Sequence, residues 1–192
     1  LIMIGRSEPD CDHVRIDNTG AARTAARLFV ERGFTRLAVA GVASATPSLV
    51  EREEAFADEA RRLGASVARA HGQEANYAGG QKAADALLGG DAAAERPQAV
   101  FCVNDLVAIG LMDRARSHFG LDLPRELAMI GFDDIPEASW DAYRLSTFRQ
   151  DPEKMAEGAV AHLERRLTDL DAPPSTLRLE ATFVERSTTP GR

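Results

Sequence analysis

Apolar residues in this chain follow two spacings, one typical of buried strands and one typical of helices. Short apolar runs alternate with longer amphipathic stretches, and this alternation predicts the secondary structure. We predict strands at 1–5, 14–16, 36–40, 65–70, 98–103, 127–132, 145–148 and 177–184. We predict helices at 19–32, 48–63, 79–88, 104–119 and 151–170.

Residues that start or stop helices support these ranges. Ser48, followed three residues later by Glu51, fits a capping box at the start of the second helix. Asp151 followed by Pro152 is the pairing expected of an N-cap and a first helical residue. Gly33 lies where the first helix should stop. Alternating strands and helices with short connections predict an α/β fold, in which helices cover both faces of a mostly parallel sheet.

Polar residues follow four of the predicted strands. In an open parallel sheet, ligands bind beyond the carboxyl ends of the strands, so these residues are expected to converge on one edge. They are Asp17-Asn18, the stretch 44–48, Asn104-Asp105 and Asp133-Asp134. Because carboxylates accept hydrogen bonds and amides both accept and donate them, the set suits a ligand rich in hydroxyl groups.

These polar residues, and three further candidates at Arg52, Tyr77 and Trp140, also have a purely structural interpretation. The sequence leaves the structural and the ligand-binding interpretations open. The structural alternatives are a helix cap for Asn104, Asp105 or Ser48, a turn for Asp133-Asp134, a solvated ion pair for Arg52, and packing for Tyr77 and Trp140.

The composition is that of a soluble globular domain. The 192 residues are 44% hydrophobic and 28% charged, with a net charge of −7. No apolar run approaches the roughly 18 residues of a membrane span, so no membrane partner is expected. An acidic chain is a poor partner for phosphate backbones, so this chain is expected not to contact DNA itself. Cys11 and Cys102 are unclustered, which fits a reducing compartment, although a disulfide between them stays open.

Sequence signatures of enzymes are missing. The chain has no glycine-rich phosphate loop, no nucleophile elbow and no paired-histidine zinc motif. Its histidines have no ligand spacing; they are His13, His71, His118 and His162. We therefore predict no catalytic residue, no metal site and no cofactor.

A series of short motifs resembles the LacI–GalR family of bacterial transcription regulators, and the series spans the chain in the family's order. One departure is Ala55, which stands where the family usually has glycine. The matching segments are Val14–Asn18, Gly20–Ala22, Glu31–Phe34, Arg36–Val39, Arg52–Phe56, Phe101–Gly110, Leu123-Pro124, Ile130–Asp134, Leu145–Gln150 and Arg186–Thr188.

The resemblance implies the periplasmic-binding-protein type I fold, in which two lobes flank a ligand cleft. It implies that residues 17–148 and 173–192 form most of the C-terminal lobe. Residues 1–16 and 149–172 would belong to the N-terminal lobe. The chain would cross between the lobes near 16–18, 148–152 and 171–176. The resemblance implies that the DNA-binding head and the earlier strands of the N-terminal lobe are absent from the sequence, and the start at Leu1 without an initiator Met fits a fragment.

The resemblance also implies a set of residues that contact the effector. Asn104 and Asp133 match positions that bind effector hydroxyls or ring groups. Arg52 matches an arginine that reaches into the cleft, and Tyr77 an aromatic that stacks on the ligand. The remaining implied contacts are Ser48, Ile16, Asp17, Arg6 and Gln150.

On this basis we expect the effector-binding domain of a cytoplasmic repressor. Its effector would be a sugar or sugar acid, with a purine-like ring as the alternative. Operator DNA would be bound only through the absent head. A homodimer is expected through the helix after Asn104-Asp105 and the loop before Leu145, with Ile109, Met112 and Tyr143 as apolar candidates. The competing hypotheses are an exported sugar-binding protein of a transporter, which shares this fold, and an enzyme that uses Asp133 or Asp105.

Overall fold

The strands in the described part of the chain form two separate sheets. The structure, a computed structural model, describes residues 1–5, 10–43, 46–90 and 96–189. The smaller sheet contains β1 (Ile2–Ile4), β2 (Asp12–Ile16) and β8 (Thr176–Leu179). The larger sheet contains β3 (Arg36–Val42), β4 (Ser66–Gly72), β5 (Ala99–Cys102), β6 (Ala128–Asp133), β7 (Ser146–Arg149) and β9 (Thr182–Val184).

Five α-helices connect the strands in the described residues, and each has ends within two residues of its predicted range. None of them is long and apolar enough to cross a membrane. The helices are α1 (Asn18–Glu31), α2 (Pro47–Arg62), α3 (Tyr77–Leu88), α4 (Asp105–Ser117) and α5 (Pro152–Thr168).

The order of the larger sheet, β4-β3-β5-β6-β7-β9, explains why helices cover both of its faces. Strands β3 to β7 are parallel, and right-handed crossovers are the rule for such connections. The connection from β3 to β4 crosses the sheet in one direction. The connections from β4 to β5 and from β5 to β6 cross it in the opposite direction. Helix α2 therefore lies on the face opposite α3 and α4. Helix α1 packs on α2, and α3 packs on α4.

The apolar core lies around the larger sheet. Phe56 of α2 stacks on Phe101 of β5 with ring centroids 5.0 Å apart, and Phe29 of α1 meets Phe56 edge-on. All three rings are fully buried. Ile109 and Met112 are also buried within this chain, so the prediction that they form a dimer surface is wrong for both. Their helix faces the core at these positions.

One predicted strand, 177–184, is in fact two strands in different sheets. Residues Thr176–Leu179 pair in parallel with β2 of the smaller sheet, and Thr182–Val184 pair antiparallel with β7 of the larger one. The chain thus passes between the sheets at Glu180-Ala181, later than the predicted passage at 171–176. The alternating pattern runs on without a glycine or proline, so nothing local marks the change of sheet.

Helix α5 lies against the smaller sheet and contacts β1, β2 and β8. It begins as predicted, because the Asp151 carboxylate accepts a hydrogen bond from the backbone N–H of Lys154. The two cysteines, Cys11 and Cys102, are both free thiols, so the alternative of a disulfide between them is not realised.

Candidate functional site

Helix α2 starts one residue earlier than its sequence suggests. Thr46 occupies the N-cap position without a capping hydrogen bond from its side chain, and Pro47 is the first helical residue. The prediction that Ser48 caps this helix is therefore wrong. Proline is pre-organised for the first helical position, which sets the start. The carboxylate of Glu51 accepts hydrogen bonds from Arg15 and Asn18 instead of closing a capping box.

Arg52 is buried, and the interpretation of it as a solvated surface charge is wrong. Only 5% of the residue is exposed. Its guanidinium carbon lies 3.5 Å from the centre of the Phe132 ring, a cation–π geometry. Its Nε donates to Oδ1 of Asn18 at 2.8 Å, and its Nη1 donates to the carbonyl of Val103 at 2.8 Å. Burial lowers the pKa of Arg52 from its usual value, and the neighbouring Asp133 carboxylate opposes that shift.

Asp133 lies at the end of β6, beside Arg52. Its Oδ1 accepts a hydrogen bond from Nε2 of Gln150 at 2.5 Å and lies 3.5 Å from Nη1 of Arg52. Burial raises the pKa of Asp133 despite these two partners. Its backbone has φ of +121°, a conformation that L-residues rarely adopt and that is concentrated at functional sites.

The neighbouring Asp134 has a structural role. Its carboxylate bonds Nε of Arg149 and Nη2 of Arg186, each at 2.6 Å. Its side chain is almost fully buried. Of the adjacent pair, only Asp133 is therefore available to a ligand.

Asn104 caps helix α4, as one of its two interpretations predicts. Its Oδ1 accepts from the backbone N–H of Val107 at 2.9 Å, and its Nδ2 donates to the carbonyl of Ala75 at 3.0 Å. The side chain remains partly exposed at the carboxyl end of β5. Capping and ligand contact are compatible for a residue at such a strand end.

Asp105 is fully buried beneath β6 and β7. It accepts from Oγ1 of Thr147 at 2.6 Å and from the backbone N–H of Ile135 at 3.0 Å. Burial raises the pKa of Asp105 to about 6. A Cβ on Gly131 would lie 2.2 Å from Oδ1 of Asp105, so glycine at this position makes room for the carboxylate. Asp105 has no exposed surface, which argues against the hypothesis of an enzyme that uses it.

The two crossover segments bring further predicted residues to the same edge. Asp17 caps α1 by accepting from the backbone N–H of Gly20 at 3.0 Å, and Ile16 precedes it in the core. Gln150 follows β7 and reaches Asp133. Ser48 lies one helical turn before Arg52 and is half-buried.

One predicted residue, Tyr77, forms its hydrogen bond away from this group. The hydroxyl of Tyr77 donates to Oδ2 of Asp113 at 2.8 Å, as does that of Tyr143 at 3.1 Å. Asp113 is two turns into α4 from Asn104, so this contact directs Tyr77 away from the edge where Arg52 and Asp133 lie. Arg6 lies outside the described residues.

Sequence reasoning placed Asn18 at this edge but did not include it among the effector contacts, and it assigned Glu51 only to a capping box, yet both belong to the cluster. The Nδ2 of Asn18 donates to Oε2 of Glu51 at 3.0 Å, while its Oδ1 accepts from Arg52. The available signal was the polar Asn18 at the first position of a helix whose other inward positions are apolar. A sequence spacing of 33 residues concealed its partner.

The cluster presents a fixed donor beside a fixed acceptor. Among the described residues, no hydrogen bond involves Nη2 of Arg52 or Oδ2 of Asp133. A guanidinium N–H and a carboxylate oxygen on adjacent side chains match two neighbouring hydroxyls of one ligand. No group of histidine, cysteine, aspartate and glutamate in the described parts of the chain could hold a metal ion.

Comparison with known proteins gives a consistent result. The model of the periplasmic binding protein-like domain family matches residues 14–189. The ribose operon repressor of Escherichia coli K12 is 29% identical over 180 residues, which cover 92% of this chain and 53% of the repressor. The chain thus spans about half the length of that relative.

Solved structures resemble the chain over almost its whole length. A LacI transcriptional regulator from a Rhodococcus species superposes with a TM-score of 0.87 at 25% identity, covering 99% of this chain and 69% of that one. A complex of the transcriptional regulator CelR with cellobiose superposes with a TM-score of 0.83 at 26% identity, covering 97% and 58%.

Proposed function

This chain belongs to the periplasmic binding protein-like domain family, and on that premise we propose that it is the effector-binding and dimerisation domain of a bacterial LacI-type transcription regulator. The family match over residues 14–189 and the relatives named as repressors and regulators support this assignment. An exported binding protein of a transporter shares the fold. The names of the relatives favour the regulator.

The observation that carries the proposal is the pairing of Arg52 with Asp133 at the carboxyl ends of the strands. Both side chains are anchored from behind, by Asn18 and Gln150 respectively. Anchoring lowers the entropy lost when a ligand binds, because the two groups already hold their bound geometry. A polyhydroxylated ligand, a sugar or sugar acid, fits this donor and acceptor pair.

Further residues complete the proposed site. Asn104, Ser48 and Gln150 would line it, with Asp17 and Ile16 at the first crossover. Tyr77 is left out of the proposed site, because its hydroxyl would have to leave Asp113 before the ring could stack on a ligand. The predicted contact by Arg6 stays a prediction.

The lobe assignment is also part of the proposal. Residues 17–148 would form the C-terminal lobe, and residues 1–16 and 149–172 would belong to the N-terminal lobe. The return to the C-terminal lobe, predicted at residue 173, is better placed after Leu179, because β8 pairs with β2. Ligand-driven closure of the lobes would then alter operator affinity through a DNA-binding head.

The direct test is calorimetry on the intact protein with a panel of carbohydrates and nucleobases. D-Ribose and cellobiose are the first probes, because one relative is named a ribose operon repressor and one similar structure is a complex with cellobiose. We expect at least one sugar or sugar acid to bind and to change operator affinity. Binding of nucleobases alone would refute the sugar proposal.

Substitution of Asp133 by Asn separates ligand contact from structure. Asn keeps an oxygen for Gln150 but loses the charge, so affinity should fall by about 1.5–3 kcal/mol, the range for charged hydrogen bonds. The melting temperature should change little. Arg52→Ala is the less selective variant, because the buried guanidinium also ties Asn18 to Val103. An unchanged affinity in Asp133→Asn would refute the proposed site.

Dimerisation is the remaining part of the proposal. With Ile109 and Met112 buried, the exposed apolar side chains in that region are Leu106 of α4 and Trp140, whose ring stacks on Tyr143 at 6.5 Å. A twofold interface would match palindromic operator DNA. Light scattering of the intact protein should show a dimer at micromolar concentration, and a monomer would contradict it.

A further inference from the structure

We infer that Glu51 is a positioning residue for the proposed effector site, and that it acts on Arg52 through the side-chain amide of Asn18. The inference rests on the proposed function, because it concerns the arginine assigned to the ligand. It goes further by assigning a role to Glu51, which itself does not contact the proposed ligand position.

The chemistry of the three side chains allows only one orientation of the amide. Asn18 is 4% exposed and sits between Glu51 and Arg52. Its Nδ2 lies 3.0 Å from Oε2 of Glu51, and its Oδ1 lies 2.8 Å from Nε of Arg52. An ionised carboxylate only accepts hydrogen bonds and a guanidinium only donates them. Flipping the amide would therefore place acceptor against acceptor and donor against donor.

The second oxygen of Glu51 holds the carboxylate in place. Oε1 of Glu51 accepts from Nη2 of Arg15 at 2.5 Å, and Arg15 lies on β2 of the smaller sheet. The relay therefore runs from Arg15 through Glu51 and Asn18 to Arg52. Arg15 anchors the relay, and Glu51 holds the Nδ2 end of the amide so that its oxygen stays against the arginine.

The consequence for the site is the direction of the free end of the guanidinium. Asn18 and the Val103 carbonyl bind Nε and Nη1, which leaves Nη2 of Arg52 as the donor for a ligand. If the amide rotates, Nε loses its acceptor in a buried environment, and the guanidinium tilts to find another. The donor beside Asp133 is then displaced.

Two double variants isolate the acceptor at position 51 from the ion pair. The acceptor-retaining variant combines Arg15→Met with Glu51→Gln and keeps an oxygen that can accept from Asn18. The acceptor-free variant combines Arg15→Met with Glu51→Met and has no such oxygen. Both lack the ion pair, and Gln and Met are similar in size. Glu54→Gln is the matched control, because Glu54 lies on the same helix and pairs with Arg69 at 2.6 Å without reaching Arg52.

The first readout needs no ligand. In the intact protein, nitrogen-15 NMR should show a slowly exchanging Nε–H of Arg52 in the wild type, in Glu54→Gln and in the acceptor-retaining variant. The acceptor-free variant should lose this protection. Equal protection in both double variants would overturn the inference, whatever the effector is.

The second readout is affinity for the tightest-binding sugar of the calorimetry panel. The acceptor-free variant should bind it about tenfold more weakly than the acceptor-retaining variant, within the coupling range of residues in one network. Glu54→Gln should match the wild type. Equal affinities in the two double variants would refute the positioning role. Failure of the wild type to bind any sugar would instead refute the proposed function, while the NMR contrast would still decide the role of Glu51.

Discussion

The two sheets of this protein are held together in different ways. The larger sheet is sandwiched by helices, and its centre is a continuous set of buried aromatic and aliphatic side chains. The smaller sheet has one helix, α5, which buries only Gly158 and His162. The outer surface of α5 and the residues just after it expose apolar side chains, namely Val160, Leu163, Leu167 and Leu170.

Polar ties replace apolar burial in the smaller sheet. Asp12 of β2 has no exposed surface, and its carboxylate bonds Arg166, Arg165 and Ser175. These bonds hold α5 and the start of β8 against β2. The larger-sheet region also has a buried carboxylate paired with arginines, Asp134, but its fully buried Asp105 has neutral hydrogen-bond donors instead of a cation.

The contrast shows how a neighbouring cation changes the pKa of a buried carboxyl group. The Arg166 guanidinium holds the pKa of Asp12 well below its usual range. Burial without a paired cation raises the pKa of Asp105 to about 6. We therefore expect the two regions to respond differently to core truncation, to loss of their carboxylates and to pH.

Truncation of the large-sheet core should have the largest effect. Phe101→Ala removes a fully buried ring that stacks on Phe56, and we expect a loss of about 3–5 kcal/mol in unfolding free energy. Leu163→Ala on half-exposed α5 is the matched truncation in the other region and should cost far less. Urea denaturation measures both. Equal losses would mean that the smaller sheet buries its apolar surface against another part of the intact protein.

Removal of the Asp12 carboxylate should loosen the smaller sheet selectively. Asp12→Ala leaves Arg165 and Arg166 without their shared partner, but both reach solvent, so we expect about 2–3 kcal/mol rather than the larger cost of a fully buried pair. Hydrogen exchange should speed up in β2 and α5 and stay unchanged in β5 and β6. Uniform acceleration across both sheets would show that the regions unfold as one unit.

The pH dependence of the two carboxylates should have opposite sign. The raised pKa of Asp105 means that its stabilisation is complete below its ordinary value near 3.8 and is lost as pH rises through about 6. The lowered pKa of Asp12 means that its stabilisation is present above 3.8 and is lost as pH falls towards its folded value.

Denaturation at two pH values tests this sign. Between pH 7 and about 4.5, the Asp105 contribution should increase by about 2 kcal/mol in the wild type. The increase should vanish in Asp105→Asn, whereas Asp12→Asn should retain it. A wild type and an Asp105→Asn variant with the same pH dependence would show that Asp105 is ionised throughout.

The smallest effect is expected on the outer surface of α5. Leu167→Ser changes a residue that is 75% exposed, and surface substitutions of this kind usually stay within about 0.5 kcal/mol. Thermal denaturation of this chain should therefore barely change. A loss of several degrees in the intact protein, but not in this chain, would identify the surface as one that another segment covers.

Local patterns predicted much of the fold and part of the site. The period of the apolar residues located all five described helices, and the caps Asn104 and Asp151 followed from side-chain chemistry within three residues. The rule that ligands bind at strand carboxyl ends brought Asp133 and Asn104 to one region, and the family motif added Arg52. The family motifs, which span the chain, implied the periplasmic-binding-protein type fold, and the model of the periplasmic binding protein-like domain family matches residues 14–189.

Long-range partners decided the rest. Residues 177–184 were predicted as one strand, because their apolar and polar residues alternate without a break. Which sheet a strand joins depends instead on its pairing with β2 or β7, which the alternation does not show. Glu51 was predicted to close a capping box, but its carboxylate bonds Arg15, 36 positions earlier. The hydrogen bond between the Tyr77 hydroxyl and Asp113 joins residues 36 positions apart, and the sequence did not predict it. Spacing along the chain determines which face a side chain can occupy, but only the folded chain decides which charge or donor lies within reach of it.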